Sequence, residues 1–517
     1  LRSDPAGAGS RTRPPAALLL AATAVVAGTF IPLIYLGERA LDRGLAFVVD
    51  ELFQQRTAEL VARSLLLVVL VTAACVVLGV GLAVLVSRTD VRGRRVLAVV
   101  LTLPLAMPSY LLAFLWVSLF PTIGGLWGSA LVLTLVSYPL VFLTTLAALA
   151  RVDPAQEEVA RSLGHHGLAV LFGVTLRQAR PAISAGALLV ALYVLSDFGA
   201  VAAMRYEAFT WVIYGAYRSG FNPARAAVLS LLLLVFALAL VIAERWARGH
   251  AGARVGSGLS RPAPVLRLGR WQGLAMAPAL AVVVAALVIP LYALSRWLTA
   301  GGVRWDGRVW WDALGATVWL SLVAAVVTTV AALPLGVLAA RYRTPAARLL
   351  ESASYIAHGL PGIVIAIAMV SVGVLLLRPI YQQEPLLILA YAVLFIPLAV
   401  GSVRSAVEST PLRTEEVARA LGRSPLRAFA TVTAHGAAPG IAAGAALVLL
   451  NCMKELPVTL LLHPTGTQTL ATRLWGHSFV SDYAGAAPYA VGLLVFAAIP
   501  TALLGVWTTR PAEVGHG

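Results

Sequence analysis

Residues Glu157 to Gly164 read EEVARSLG and residues Glu415 to Gly422 read EEVARALG; the offset, 415 − 157 = 258, is half the length of the 517-residue chain. Both octapeptides are charged islands between long apolar stretches. The chain therefore reads as two membrane halves, each presenting the same small helix outside the lipid. Pro181 and Pro439, and Gly186 and Gly444, keep the 258 spacing, and polar loops with mere helical propensity would not hold register over such a stretch. A contact made twice in this way suggests a paired partner.

Composition supports the membrane setting. Hydrophobic residues make up 60% of the chain, charged residues 12%, and the mean hydropathy is +0.87, outside the range of soluble domains. A hydrocarbon core of about 30 Å needs roughly 20 helical residues, and lipid offers no partner to free backbone groups, so the spans must be helical. The apolar runs predict spans near 16–36, 61–86, 96–120, 129–150, 183–204 and 226–243, then 273–294, 315–340, 353–377, 386–403, 439–462 and 488–507. The expected fold is all-α and polytopic, about twelve transmembrane helices in two homologous six-helix halves. The halves are 1–243 and 273–517, joined by a cytoplasmic linker, 244–272, rich in Gly, Pro, Ser and Arg. The first apolar run is too long for a cleavable signal peptide and carries Pro32.

Arginines set the orientation. Arg2, Arg11 and Arg13, then Arg88, Arg92, Arg94 and Arg95, then Arg151 and Arg161, the linker, Arg341, Arg343 and Arg348, and Arg404 to Arg427 fall in alternate loops. The positive-inside rule then puts both termini and both octapeptides in the cytoplasm. The net charge of +16 follows from this bias toward anionic lipid heads, and its spread over many short loops argues against nucleic acid as a partner. Cys75 and Cys452 fall inside expected spans and read as small packing residues.

Each octapeptide sits in a punctuated helix. Asp153 and Pro154 suit the cap and first helical position, Gln156 stands in capping-box position, Glu157 and Glu158 suit the positive end of the helix dipole, and Gly164 suits a left-handed stop. The second copy repeats the plan with Thr410, Pro411, Glu415, Glu416 and Gly422.

A Glu-x-Ala followed by glycine in a cytoplasmic loop resembles the EAA loop of permease subunits of binding-protein-dependent ABC importers, and the resemblance covers nearly the whole chain. It implies a coupling helix that docks in a groove of an ATP-hydrolysing subunit. The motif falls on Glu158, Ala160 and Gly164, and on Glu416, Ala418 and Gly422, with Glu157 and Glu415 beside it. The family usually continues with Leu-Pro, where this chain has Leu176-Arg177 and Ala434-His435. The stretches LSDFGAVAAMRY, GLPGIVIAIAMV and KELPVTLLLHPTGTQTLATRLW are similar to ferric-iron permeases of the Fbp type. That likeness implies Fe³⁺ handed over by an extracytoplasmic solute-binding protein at a bacterial inner membrane. Permeases for thiamine, polyamines or another small solute are similar.

The only lysine is Lys454, preceded by Asn-Cys-Met, so no phosphate-binding loop ending in Gly-Lys-Ser/Thr exists. The chain is expected to be no enzyme and to hold no cofactor or metal. ATP is bound instead by partner subunits, two copies for two coupling helices. Three ionisable groups fall inside expected spans, Asp197, Lys454 and Glu455, and 455 − 197 is again 258. Such groups are costly in lipid and often functional. They read either as lining the translocation path or as structural, Lys454 pairing with an acid and Asp197 capping a helix broken near Gly199. As proton carriers, Asp197 and Glu455 would instead suit a secondary transporter. Pro104 and Pro108, and Gly359, Pro361 and Gly362, interrupt the third span of each half, Pro108 and Pro361 at an offset of 253.

Overall fold

The computed structural model describes residues 14–220, 222–249, 265–299, 306–342, 344–356 and 360–509. Arg2, Arg11, Arg13, Arg343, Gly359 and the middle of the expected linker lie outside them. Among the described residues the chain is helical without a named strand, and nine helices are long and apolar enough to cross a membrane. They match nine of the twelve expected spans, from Ala16–Leu41, Gln55–Arg88 and Gly125–Leu149 to Gly307–Arg341, Glu384–Glu408 and Phe429–Lys454.

The departures have local causes. The expected span 96–120 is two helices bent by 93°, Arg94–Ala106 and Ser109–Leu119. Pro108 forces Met107 into an extended conformation (ψ 130°) and is itself extended (ψ 137°), so two consecutive non-helical residues turn the chain. Pro361 (ψ 141°) does the same in the second repeat, leaving Pro345–Ile356 and a short Gly362–Leu375 in place of one span over 353–377. The fifth spans also sit differently. Expected over 183–204 and 439–462, they stop at Ser196 and Lys454. Asp197 (φ −68°, ψ 131°) and Glu455 (φ −70°, ψ 129°) break them with nearly equal backbone angles. The last helix of the first half runs on to Gly249, so 244–249 are helical and not linker. Beyond the undescribed segment, Leu266 returns to pair with Thr89, donating to the Arg88 carbonyl at 2.8 Å.

Each repeat is built on the same three helices. In the first, Gln55–Arg88 packs on Gly125–Leu149, and both pack on Leu176–Ser196; in the second, Gly307–Arg341, Glu384–Glu408 and His435–Lys454 do so. Close approach needs small residues. A Cβ on Gly186 would lie 2.4 Å from Thr144 Oγ1, and one on Gly444 would lie 2.3 Å from Ser402 Cβ, the small-residue seam by which membrane helices gain dispersion contact. Leu66, Val69 and Val77 on one long helix, and Leu322, Val326 and Val330 on its counterpart, point outward and provide the lipid-facing rows.

The first helix of each repeat belongs to the other repeat's core. Ala22 and Val26 of Ala16–Leu41 are buried with Leu320, Ala324 and Ala366. Reciprocally, Ala279, Val282, Ala286 and Trp297 are buried with residues of the first repeat, and the Trp297 indole donates to Ser118 Oγ at 2.8 Å. Cys75 and Cys452 are buried free thiols.

Gly444→Leu is expected to lower the thermal unfolding midpoint in detergent by overpacking worth about 1–3 kcal/mol, whereas Gly81→Ala, with nothing within 4 Å of its Cβ position, should leave the midpoint unchanged or slightly raised.

Candidate functional site

The octapeptides form two short helices, Pro154–Ser162 and Leu412–Ala420. Asp153 caps the first, accepting from the Ala155 N–H at 3.0 Å, and Gln156 accepts from Gln178 instead of closing a capping box. The second begins one residue later than expected. Pro411 is extended at its cap position, and the Thr410 hydroxyl turns back to the Ala406 carbonyl. Both helices end alike. Gly164 (φ +86°) and Gly422 (φ +87°) take the left-handed conformation, their N–H groups donating to Arg161 and Arg419, while His165 and Arg423 donate back to the carbonyls of Ala160 and Ala418. This paired closure satisfies the last carbonyls and needs a residue without Cβ strain at the turn.

The two glutamates of each copy part company. Glu157 is 2% exposed. Its Oε1 lies 3.2 Å from Arg88 Nη1 and accepts from Thr175 Oγ1 at 2.8 Å, and Oε2 lies 3.7 Å from Arg161. Arg88, last residue of the long helix, also donates to the Leu149 carbonyl at 3.1 Å. Glu415 repeats the arrangement more loosely. It accepts from Thr433 Oγ1 at 2.8 Å and sits 4.0 Å from Arg341, which also donates to the Thr410 carbonyl. Thr175 and Thr433 lie in or next to matched wide-turn segments, Leu171–Thr175 and Phe429–Ala434, a backbone form that tends to mark functional positions.

Glu158 and Glu416 are exposed, and beside them so are Val159 and Leu163, and Val417 and Leu421; the two leucines are 74% and 79% exposed. Ala160 and Ala418 are buried against the body. An acidic residue and two apolar ones thus face away from the protein twice over. Arg88, Thr175, Arg341 and Thr433 were not singled out as partners from sequence. Their spacing carries the signal, 433 − 175 = 258 and 341 − 88 = 253, the latter shared with Pro108 and Pro361.

Asp197 and Glu455 lie at the other end of the molecule. Each stands 22 residues past its anchoring threonine (197 − 175 and 455 − 433), about 33 Å along a helix. Asp197 Oδ1 accepts the Ala200 N–H at 2.8 Å, its Oδ2 accepts the Ser109 hydroxyl, and its carbonyl accepts from Thr210. Glu455 Oε2 accepts the N–H groups of Val458 at 3.0 Å and Thr459 at 3.4 Å. Both acids therefore cap the short helices that follow the break, Gly199–Ala203 and Pro457–Leu462.

Ser109 and Gly362 are counterparts (362 − 109 = 253). A Cβ on Gly362 would lie 2.6 Å from Glu455 Oε1, so the longer acid meets glycine where the shorter acid meets serine. Lys454 ends its helix without an ion pair among the described residues. Next to Asp197, Phe198 packs on Trp475 at 5.4 Å and Phe114 on the same indole at 5.5 Å. Aromatic rings from both repeats thus close the seam at this end.

Two matched anchors on two matched halves narrow the family. Residues 75–249 and 332–510 each match the binding-protein-dependent transport system inner membrane component family. The chain belongs to that family. The permease is 35% identical over 498 residues to the Fe(3+)-transport system permease protein FbpB 2 of Haemophilus influenzae, covering 95% of this chain and 98% of the relative. It is 24% identical over 217 residues to the molybdate/tungstate transport system permease protein WtpB of Pyrococcus abyssi, covering 41% of this chain and 87% of the relative. It is 25% identical over 271 residues to the putative 2-aminoethylphosphonate transport system permease protein PhnU of Salmonella typhimurium, covering 47% and 95%. This is the multi-pass membrane subunit of an ABC importer, a transport component that works with an ATPase and a solute-binding protein.

Arg88→Ala should leave the buried Glu157 carboxylate with Thr175 and the longer Arg161 contact only, at a cost of about 1–3 kcal/mol, read by denaturant unfolding of the detergent-solubilised permease. Arg341→Ala should cost less, because Glu415 is more exposed and its ion pair longer. Glu158→Ala should leave stability within about 0.5 kcal/mol.

Proposed function

We propose that this permease passes ferric iron, Fe³⁺, handed over by an extracytoplasmic binding protein, and that two copies of an ATP-binding subunit drive it by gripping the two coupling helices. The observation that carries the reading is the pair of equivalent helices, each pinned on one face by an inward-facing glutamate, buried at Glu157 and partly buried at Glu415, and offering an acid with two apolar side chains on the other. An apolar centre beside charge is the composition of a protein-docking patch. ATP stays with the partner subunits, since this chain has no phosphate-binding loop.

Ferric iron as cargo rests on the likeness to the Haemophilus Fe(3+)-transport permease, which runs through both repeats and nearly the whole chain. The molybdate/tungstate and 2-aminoethylphosphonate relatives align with less than half of it. Both termini and both coupling helices are assigned to the cytoplasmic face, in keeping with the arginine bias, and the reading keeps two homologous halves, the first carried on to Gly249 by its last helix. Asp197, Lys454 and Glu455 are assigned to the outer end of the translocation path, where the acids hold the turns against which the aromatic seam closes. Both acids accept backbone N–H groups as helix caps, which supports a fixed structural role over that of a proton carrier.

The test is the purified complex in proteoliposomes, with iron-loaded binding protein outside and ATP inside. Iron uptake should need ATP and be abolished by vanadate. Leu163→Asp or Leu421→Asp, each at the centre of one docking face, should lower uptake at least tenfold, the loss expected of one binding hot spot worth about 1.4 kcal/mol or more. Uptake driven by a pH gradient without ATP would refute the reading.

A further inference from the structure

A cavity of about 1000 Å³ lies between the repeats, reaching Ser409 just before the second coupling helix. Its walls differ in chemistry. Leu188, Leu192 and Val241 of the first repeat are apolar, whereas the second repeat supplies Arg348, Glu351, Arg404 and Ser405 beside apolar Pro397 and Leu398. Arg404 is clamped. Its Nη1 donates to Glu351 on the neighbouring Pro345–Ile356 helix, and its Nε donates to Glu408 Oε1 at 2.8 Å, one turn along its own helix. The first contact ties two helices together, and the second ends at the last residue of Glu384–Glu408, four residues before the second coupling helix begins at Leu412.

The repeat register shows that this set is not part of the shared scaffold. With the offset of 253 that holds from Arg88/Arg341 to Pro108/Pro361, Glu351 corresponds to Ala98. With the offset of 258 that holds from Pro139/Pro397 to Gly186/Gly444, Arg404 and Glu408 correspond to Leu146 and Ala150. One repeat carries Glu, Arg and Glu where the other carries Ala, Leu and Ala. Two members of this network, Glu351 and Arg404, face the cavity, and Glu408 holds Arg404 from behind, in one half of a duplicated fold whose other half does without all three.

We propose that Glu351, Arg404 and Glu408 form a one-sided charge gate on the cytoplasmic exit of the path. At rest the arginine holds both carboxylates and the exit stays tied. When the second coupling helix moves, Glu408 moves with it, the tie to Glu351 opens, and the freed carboxylate oxygens offer a departing cation transient hard ligands. Conduction needs such sites to be weak enough to leave, and a half-exposed pair facing an apolar wall meets that requirement. The gate rests on the importer reading above and adds the residues that discharge the cargo.

The test uses the full complex in proteoliposomes with iron-loaded binding protein, measuring iron delivered per ATP hydrolysed. The triple variant Glu351→Ala, Arg404→Leu, Glu408→Ala installs the residues that the first repeat already tolerates. Assembly is checked by retention of the ATPase through purification. Iron per ATP should fall roughly tenfold, equivalent to about 1.4 kcal/mol of lost coupling, while ATP hydrolysis continues. Arg404→Lys, which keeps the charge, should restore most of the ratio. A triple variant with the unmodified ratio would overturn the gate alone, whereas an unmodified complex that shows no ATP-driven uptake would overturn the transport reading beneath it.

Discussion

A carboxylate, buried at Glu157 and partly buried at Glu415, holds each octapeptide helix to the membrane body. Glu157 meets Arg88 and Thr175, and Glu415 meets Arg341 and Thr433, joining the end of the long helix, the short helix and the start of the fifth span at one point. An ion pair of this kind contributes little net stability, because desolvation offsets attraction, but losing one partner is costly. Its effect is on geometry. A short helix of nine residues is marginal by itself, and the anchored inner face fixes its position on the body.

From that point the arrangement runs in both directions. Outward, the left-handed glycines stop each helix and leave an acid and two apolar side chains facing away. Inward, each fifth span runs about 33 Å to the acid that breaks it. There Asp197 grips Ser109 on the bent third span, and Glu455 lies against Gly362 on the corresponding one. The first octapeptide helix is therefore connected through covalent helix and hydrogen bond to the aromatic seam formed by Phe114, Phe198 and Trp475. The hydrophobic effect cannot organise this in lipid. Small-residue seams at Gly186 and Gly444 provide the contact that burial provides in water.

Much of this was legible in the sequence. The duplication, the helical class, nine of the spans, the stop glycines and the equivalence of Asp197 with Glu455 all follow from apolar length and spacing. The broken spans were harder, because hydropathy averages over a window and continues through Pro108 or Asp197 when the flanking residues are apolar. The division of labour between Glu157 and Glu158 was invisible, since adjacent residues on a helix point about 100° apart and only the packed structure says which faces in. Arg88 and Arg341 were read as topology charges of a loop. Their repeat spacing was available, but nothing local marks a helix-ending arginine as the partner of a glutamate some seventy residues on.

The exchange of first helices has a consequence for how the chain is made. Ala22 and Val26 are synthesised well before the residues that enclose them, around Leu320 and Ala366, which emerge only after the whole first repeat and the connecting segment. Until then that helix has its contact with Pro223–Gly249 of its own repeat but not the groove that completes its burial. Fusing both repeats into one polypeptide keeps that waiting helix beside its eventual groove, so assembly becomes an intramolecular search and not an encounter between two separately inserted proteins.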